Sequence, residues 1–518
     1  MPERLPDCPW KVIVLTTPLG VSHIANLRKI AEELAQQRGH HITYVSMNLD
    51  IGALQPTNNT VVSYSILGMA DSDTLPAWRL TSKNSSAGVL AGFMALAHSA
   101  CRGLMGNDTA MTQLKDFKAD VMLAEIQNPC TPLLAHVLDL PWVNHWPLAP
   151  ISIDFDRSQG RALAHIMCFW GGLEGFLAHR LPGLEKWRMQ RGTDEWTCMA
   201  LRSISSRMRS FHKECGSDPD AAKERRRMVL SISPVDWAAE WLRPVSPSYK
   251  YVGPVLAGPG KALPAQFQEY MEAAGAQGVL LVSMGTVVEL DREELTGMAA
   301  AFATLPCKVL WRLTRKEVPG DAALATLKLG GNTQVVMSVP QNDVLAHPNL
   351  RAFLSHVGVN SMYEAIYHGR PVVALPMLGD QASNADKIVA KGLGVRVDLH
   401  QVGKPAFKEA LIEVLTDPTY TATAQAMSVK IRARKRTPVQ EAADWIEHVI
   451  VTKGEPYLKI PEDEMSLGGF PVIAVCASLA VLIARAALAS LLRLCKPFWL
   501  ARSATYGHLP ATGRAHKD

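Results

Sequence analysis

Short apolar runs alternate with amphipathic stretches along the first half of the chain, a pattern typical of parallel α/β folds. Residues 11–17 form a largely apolar run, as expected of a strand buried on both faces. A helical period follows from about 24 to 38 and ends at Gly39. The alternation continues and predicts a doubly wound sheet. The further elements predicted for this half are strands at 42–46, 121–124 and 142–143 and a helix at 133–138.

The second half repeats the alternation after a segment rich in proline and glycine. Its predicted elements are strands at 279–283, 309–312, 334–337, 352–354 and 371–376 and helices that begin near 362 and 384. The boundaries predict a first domain at 1–253, a linker at 254–277 and a second domain at 278–455. Sheets of this kind bind ligands at the carboxyl ends of their strands, so we expect the site in the cleft between the domains.

The tail of the chain carries a long apolar stretch at 470–494. It is long enough to span a bilayer with some tilt, although Arg485 interrupts it. A centred arginine costs roughly 2.5–3.5 kcal/mol on an insertion scale. We predict a membrane helix that either spans the bilayer or lies at its surface. The alternative is a buried helix of the globular part, which the acidic, proline-containing stretch at 461–464 disfavours. No signal peptide is visible, so the side of the membrane is left open.

The composition narrows the function classes. A net charge of +5 on 518 residues gives no reason to expect nucleic acid as a partner. The nine cysteines are an odd number without a CxxC pair. They predict mostly reduced, partly buried thiols rather than a disulfide framework or a zinc site.

Polar residues cluster where two predicted strands of the second half end. The residues that follow the strand at 352–354 include Ser355, His356, Gly358, Asn360 and Ser361. Free N–H groups and the positive end of a helix dipole meet at such a turn and suit a phosphate. The strand at 371–376 is followed by Gly379, Asp380 and Gln381. Two such turns side by side indicate a nucleotide-sugar site.

The segment 339–394 resembles the signature of the family 1 UDP-glycosyltransferases. It contains V-P-Q-N-D-V-L-A-H-P, then F-L-S-H-V-G-V-N-S-M-Y-E-A, then G-R-P-V-V-A-L-P-M-L-G-D-Q-A-S-N-A. The resemblance implies the GT-B fold, an α/β architecture in which two Rossmann-like doubly wound domains face a cleft. The C-terminal hydrophobic helix would be added to it. Residues 151–228, which lack a clear strand pattern, would form helices over the acceptor.

The resemblance also implies which residues bind the donor. His356 and its turn would bind the diphosphate, Glu364 the ribose hydroxyls, and Gln341 would lie beside the uracil. Asp380 and Gln381 would bind the hydroxyls of the sugar. The implied donor-binding residues are Gly285, Thr286, Gln341, His356, Gly358, Asn360, Ser361, Glu364, Asp380 and Gln381.

Two serines of the donor motif, Ser338 and Ser361, leave the assignment of donor residues open. For each residue the alternative role is a helix cap or core packing, and Ser361 in particular suits an N-cap. Ser338 stands where the family has a tryptophan that stacks on the base. Stacking of this kind contributes about 1–3 kcal/mol per base in nucleic-acid binders, so uracil recognition would be weaker or supplied by another group.

The first half supplies the candidate base. His23 follows the first predicted strand, and a neutral imidazole is the usual base for a hydroxyl near neutral pH. The family carries its catalytic histidine in a G-x-x-H turn like the one that ends at His23. Glu125 follows the strand at 121–124, where the family has an aspartate that orients the histidine. Because glutamate is one methylene longer, the alternative is a displaced Glu125 and a His23 that acts unaided or with another partner.

Together these residues imply an inverting transfer of a hexose, with glucose favoured, from a UDP-sugar to a hydroxyl. The expected acceptor is small and lipophilic, such as a sterol, a lipid or a secondary metabolite. The resemblance implies no metal, no cofactor besides the donor, and membrane association at the endoplasmic reticulum. Two alternatives stay open: a UDP-sugar hydrolase or epimerase on the same fold, and a catalytically degenerate nucleotide-sugar-binding homologue.

Overall fold

The computed structural model describes two α/β halves of the chain. The predicted acceptor helices at 151–228 lie almost entirely outside the described residues, and so does the predicted membrane helix apart from Val481 and Arg485. The described residues are 9–17, 21–47, 60–64, 80–81, 86–125, 128–147, 227–242, 245, 247–285, 288–315, 317–455, 457–458, 481 and 485.

A seven-stranded parallel sheet forms the centre of the first half. The strands of this half are β1 (Lys11–Leu15), β2 (His41–Met47), β3 (Thr60–Tyr64), β4 (Leu80–Thr81), β5 (Val121–Ala124), β6 (Trp142–His145), β7 (Met228–Ser233) and β8 (Tyr249–Tyr251). All but β4 join the sheet, in the order β3-β2-β1-β5-β6-β7-β8. The chain reverses its direction of travel across the sheet between β1 and β5, so their carboxyl ends border a crevice.

The second half is built on a six-stranded parallel sheet. Its strands are β9 (Val279–Ser283), β10 (Val288–Glu289), β11 (Lys308–Arg312), β12 (Thr333–Val336), β13 (Leu350–Ser355), β14 (Val372–Ala374) and β15 (Gly394–Arg396). The sheet order is β12-β11-β9-β13-β14-β15, and the reversal lies between β9 and β13. Both sheets therefore have the predicted doubly wound order.

Helices connect the strands. The helices of the first half are α1 (Val21–Glu32), α2 (Ser86–Met105), α3 (Asp108–Phe117) and α4 (Cys130–Val137), and a π-helical turn (Glu33–Gln37) continues α1. The later helices are α5 (Ala265–Glu272), α6 (Arg292–Phe302), α7 (Asp321–Ala325), α8 (Gln341–Ala346), α9 (Val359–Tyr367), α10 (Gln381–Ala390), α11 (Pro405–Thr416), α12 (Pro418–Arg432) and α13 (Pro438–Val451). Two 3-10 turns lie at Gly275–Gln277 and Leu399–Gln401. The predicted linker at 254–277 contains α5, whose Phe267 and Met271 pack into the core of the second half.

Helix α13 returns from the second half to the first. Thr437 caps it by accepting a hydrogen bond from the backbone N–H of Gln440, and a proline occupies its first turn. Ile446 and Val449 pack into the core beneath β1 and β5. Glu447 accepts hydrogen bonds from Arg38 at 2.5 Å and from His40 at 3.0 Å. The last described helix thus ties the two halves together.

One sequence-based expectation changes here. The cysteine interpretation is wrong for one pair, because Cys101 on α2 and Cys130 at the start of α4 form a disulfide across 29 residues. Cys307 is a free, buried thiol. Among the helices of the described stretches, none has the length and apolar character needed to cross a bilayer. The helix at 470–494 stays a prediction.

Candidate active site

The carboxylate of Glu125 lies at the crevice between β1 and β5 and is fully buried. Its Oε2 accepts hydrogen bonds from the Thr17 hydroxyl and from His23 Nδ1, the latter at 2.8 Å. Its Oε1 faces His145 Nδ1 at 2.9 Å. The Glu125 backbone carbonyl accepts a further hydrogen bond from Thr131 at 2.7 Å. Three contacts fix the side chain and a fourth holds the backbone, so the longer glutamate is not displaced from His23.

The pKa values of this pair move in opposite directions. Burial alone would raise the pKa of Glu125, but the charge of His23 and the hydrogen bonds from His145 and His23 hold it well below its usual range. Burial alone would lower the pKa of His23, but the charge of Glu125 and its hydrogen bond hold that pKa above its ordinary value. The carboxylate is therefore ionised near neutral pH, and the imidazolium form of His23 is stabilised.

His23 presents its other ring nitrogen to the cleft. Nδ1 is occupied by Glu125, while 27% of the side chain is exposed to solvent. Asp380, in the second half, is close enough for its charge to raise the pKa of His23. Nε2, the ring nitrogen that Glu125 does not occupy, can thus take up a proton at a point where the two halves meet.

Direct contacts also cross the cleft. Asn26 on α1 donates from Nδ2 to Asn360 Oδ1 at 3.2 Å, and Asn360 Nδ2 approaches the carbonyl of Ser22 at 3.5 Å. At the rim, β4 of the first half pairs with β10 of the second. The first turns of α1 and α9 therefore face each other across a closed cleft.

His356 lies in a slot that only glycine permits. A Cβ atom at Gly285, which has φ of 77°, would lie 2.7 Å from Nε2 of His356, and a Cβ at Gly358 would lie equally close. Burial, reinforced by the charge of Arg312, lowers the pKa of His356 to about 4. The ring is therefore neutral near pH 7, so it can interact with a ligand through a hydrogen bond but not through a positive charge.

The turn between β13 and α9 is held in a strained conformation. Val357 has φ of 53°, which is unusual for a β-branched residue and costs of order 1–3 kcal/mol. The Ser355 hydroxyl accepts from its N–H at 3.0 Å, and Asn384 donates to its carbonyl at 3.0 Å. Gly358 caps the helix, so Ser361 lies inside the first turn and is not the N-cap.

Ser361, Gln341 and Glu364 form one hydrogen-bonded group at the amino end of α9. Gln341 Nε2 donates to Ser361 Oγ at 3.1 Å and to the Glu364 carboxylate. Burial raises the pKa of Glu364 to about 7, against the opposing effect of the Gln341 hydrogen bond. Three of the predicted donor residues are thus together, and they satisfy one another.

Asp380 and Gln381 open α10 on the side of the cleft that faces His23. Asp380 accepts from Asn384 Nδ2 at 2.6 Å, and burial raises its pKa. The amide oxygen of Gln381 accepts from the backbone N–H groups of Met377 and Leu378 at 2.9 and 3.0 Å. These two hydrogen bonds fix the orientation of the Gln381 amide.

The remaining predicted positions differ in outcome. Gly285 ends the turn after β9, and its carbonyl accepts a hydrogen bond from Arg312. Thr286 lies outside the described residues. Ser338, at the position of the family's tryptophan, is exposed. Within the described part of the chain, no group of three or more His, Cys, Asp or Glu side chains is arranged to hold a metal ion.

Two residues that hydrogen-bond to the Glu125 carboxylate, Thr17 and His145, were not predicted from the sequence. Thr17 is the last residue of the first predicted strand, and His145 lies two residues beyond the predicted strand at 142–143. Both are fully buried. Their position at the ends of strands could have indicated them, because the carboxyl ends of β1, β5 and β6 are neighbours in the sheet.

Comparisons with known proteins agree with this architecture. A family model described as "UDP-glucoronosyl and UDP-glucosyl transferase" matches residues 12–490. UDP-glucuronosyltransferase 2B1 of Rattus norvegicus is 28% identical over 489 residues, which covers 88% of this chain and 87% of the relative. UDP-glucuronosyltransferase 3A1 of Bos taurus is 31% identical over 376 residues, covering 71% and 69%.

Solved structures share the fold at lower identity. A UDP-glucose: anthocyanidin 3-O-glucosyltransferase in complex with UDP superposes with a TM-score of 0.61 at 18% identity, covering 86% of this chain and 100% of the other. CalG4, the calicheamicin glycosyltransferase, gives 0.59 at 22% identity, covering 86% and 99%. The predicted GT-B architecture is thereby confirmed.

Proposed function

Because the chain belongs to the family of UDP-glucuronosyl and UDP-glucosyl transferases and is a glycosyltransferase, we propose that it transfers a hexose from a UDP-sugar to a hydroxyl of a small lipophilic acceptor, with inversion. One observation carries this proposal. His23, paired with the buried Glu125, stands across the cleft from the donor half and within electrostatic reach of Asp380.

The residues of the cleft account for each step. His23 Nε2 takes the hydroxyl proton of the acceptor as the acceptor oxygen attacks the anomeric carbon. The bond between that carbon and the β-phosphate oxygen breaks, and its electron pair leaves with UDP. Attack from the side opposite the leaving group inverts the anomeric centre. Glu125 stays ionised and stabilises the imidazolium that forms.

The donor half would stabilise the charge that develops on UDP. The free N–H groups in the first turn of α9 and the positive end of its dipole suit the diphosphate. His356 contributes a neutral hydrogen bond, since its pKa of about 4 keeps the ring uncharged near pH 7. The Glu364 carboxylate would accept from the ribose hydroxyls once it is ionised.

A neutral hexose, with glucose favoured, fits Asp380 and Gln381 best. The charges that act favourably on Asp380 come from Lys387 and His23. Lys387 is already paired with the buried Glu240 at 2.8 Å, and His23 with Glu125. The carboxylate of a sugar acid would need a further cation, whereas hydroxyl groups can donate directly to Asp380.

The acceptor and the location are proposed from the tail of the chain. The apolar stretch at 470–494 would attach the enzyme to the membrane of the endoplasmic reticulum. A membrane-attached catalytic cleft meets acceptors that partition into lipid. Sterols, lipids and lipophilic secondary metabolites carrying a hydroxyl are therefore the proposed class.

The proposal can be tested by combining a panel of UDP-sugar donors with a library of hydroxylated lipophilic acceptors. The full-length enzyme would be incubated with UDP-glucose, UDP-galactose, UDP-N-acetylglucosamine or UDP-glucuronate, and products would be read by mass spectrometry. We expect a hexosylated acceptor with the β configuration, with UDP-glucose as the best donor.

Other outcomes assign the alternatives. Release of free sugar at the same rate with and without acceptor would indicate a hydrolase. Conversion to another UDP-sugar would indicate an epimerase. Tight UDP-sugar binding without turnover across the whole panel would favour a degenerate binding protein and contradict the transfer.

A further inference from the structure

Glu125 is shared between two histidines rather than paired with one. Oε2 faces His23 Nδ1 at 2.8 Å, and Oε1 faces His145 Nδ1 at 2.9 Å. His145 and Glu125 are both fully buried, whereas His23 reaches the cleft. His145 therefore touches the carboxylate without access to a substrate.

The surroundings of His145 determine its tautomer. An ionised carboxylate only accepts hydrogen bonds, so the ring nitrogen that faces it must carry the proton. Nε2 of His145 is buried and has no hydrogen-bond partner within the described structure. A protonated Nε2 would bury an unpaired N–H and a positive charge, which is costly. His145 is therefore the neutral Nδ1–H tautomer, a donor to Glu125.

We propose that His145 is a positioning residue for the transfer: it holds Oε1 of Glu125 so that Oε2 stays on Nδ1 of His23. This inference rests on the function proposed above. A glutamate has one more rotatable bond than the aspartate of the family, and its carboxylate has more orientations to lose. His145 on one oxygen and Thr17 on the other restrict those orientations.

His145 takes no part in the proton transfer itself. The proton of the acceptor goes to Nε2 of His23, Glu125 remains a carboxylate, and His145 keeps its Nδ1 proton throughout. A proton moved onto Nε2 of His145 would have no hydrogen-bond partner there. The role of His145 is therefore the geometry of Glu125, through a single hydrogen bond.

Two substitutions at this position separate the hydrogen bond from the bulk of the ring. His145→Leu fills a similar volume and removes the donor. His145→Asn places an amide N–H close to the position of Nδ1 and retains the donor. We expect His145→Leu to lower kcat by about tenfold to a hundredfold, since a misplaced catalytic group can cost about a hundredfold. We expect His145→Asn to stay within about threefold of the wild type, and the KM for the UDP-sugar to be unchanged in both.

A spectroscopic readout tests the geometry without relying on transfer. Enzyme labelled with ¹⁵N-histidine would be titrated by NMR with UDP bound, and the midpoint of His23 followed. The charged groups that act on His23 are Glu125 and Asp380. Loss of the fixed carboxylate should lower the midpoint in His145→Leu and leave it unchanged in His145→Asn. The same spectra of the wild type should show His145 protonated at Nδ1.

Trp142→Phe provides the matched control. Trp142 lies on the same strand as His145, is 1% exposed, and packs into the core rather than against Glu125. The Trp142→Phe substitution should lower the free energy of unfolding without changing kcat or the titration midpoint of His23.

The outcomes separate this inference from the proposed function. A His23 midpoint in His145→Leu equal to that of the wild type would overturn the positioning role, as would equal losses in His145→Leu and His145→Asn. If His145→Leu does not fold, a wild-type spectrum with His145 protonated at Nε2 overturns it instead. Absence of transfer in the wild type would overturn the proposed function, while the NMR result would still decide the geometry.

Discussion

The two halves of the cleft hold their key carboxylates in opposite ways. In the first half, Glu125 accepts hydrogen bonds from three side chains, and its pKa lies well below the usual range. In the second half, the Glu364 carboxylate accepts from Gln341, and burial raises its pKa to about 7. One carboxylate is charged and fixed before any substrate binds, whereas the other gains its charge near neutral pH.

This difference separates chemistry from binding. In the proposed mechanism Glu125 serves the reaction and is preorganised, so its loss should affect the rate. Glu364, which would bind the donor in that mechanism, is only partly ionised near neutral pH and bonded to Gln341, so its state should affect affinity. Substitutions in the first half should therefore change kcat, and substitutions in the second half should change UDP binding.

The largest expected effect is on turnover, from His23→Asn. The asparagine retains a polar side chain but cannot act as a base, and general-base catalysis contributes about a hundredfold to ten-thousandfold. We expect kcat to fall in that range, with the dissociation constant of UDP from calorimetry within twofold of the wild type. A matching loss of UDP affinity would contradict the division of catalysis and donor binding between the two halves.

Gly285→Ala should produce the next largest effect, on donor affinity. Its Cβ would lie 2.7 Å from His356 Nε2, and the residue has φ of 77°. The clash and the strained backbone should weaken UDP binding by about tenfold to a hundredfold, since each ~1.4 kcal/mol is a factor of ten. Gly331→Ala is the control, because its Cβ would meet nothing within 4 Å. Equal UDP affinity in the two variants would contradict the slot around His356.

The pH dependence of UDP binding should come next. Since the pKa of Glu364 is raised to about 7, ribose hydroxyls find an ionised acceptor only above that pH. Affinity should rise as the pH passes upward through about 7 and fall by up to about tenfold per unit below it. Calorimetry from pH 5.5 to 8.5 measures this. Glu364→Gln removes the carboxyl but not the titration of UDP, so an unchanged profile in that variant would contradict the assignment.

The smallest expected effect belongs to the contact across the cleft. Asn26→Ala removes a neutral hydrogen bond to Asn360, typically about 0.5–1.5 kcal/mol. We expect kcat to fall about threefold to tenfold, with UDP affinity unchanged, because closure brings His23 to the donor. Lys29→Ala is the control on the same helix, since Lys29 is exposed and lies near Glu32. Identical kcat values for Asn26→Ala and Lys29→Ala would show that Asn26 does not contribute to closing the cleft.

Much of the fold follows from the sequence because its strands are continuous buried runs. The strands at 121–124 and 279–283 have the predicted bounds. The helix starts differ by three residues, since α9 begins at Val359 and α10 at Gln381. The polar and glycine residues there are typical of turns, yet they belong to the first helical turns, which need free polar groups to meet a ligand.

Contacts that depend on tertiary arrangement were beyond the sequence. His145 reaches Glu125 only because β6 lies beside β5 in the sheet. Cys101 and Cys130 meet only because α2 packs on α4. The pKa of Glu364 depends on its burial, which no local pattern reveals. The motifs therefore predicted which residues lie together at the cleft but not the hydrogen bonds among them.

The most direct test of the proposed mechanism is the transfer rate of Glu125→Gln with saturating UDP-sugar and acceptor. This change keeps the size of the side chain and one acceptor oxygen while it removes the charge that stabilises the His23 imidazolium. We expect kcat to fall by about a hundredfold to a thousandfold, no further than in His23→Asn, with UDP affinity within twofold of the wild type. A kcat within threefold of the wild type would contradict it.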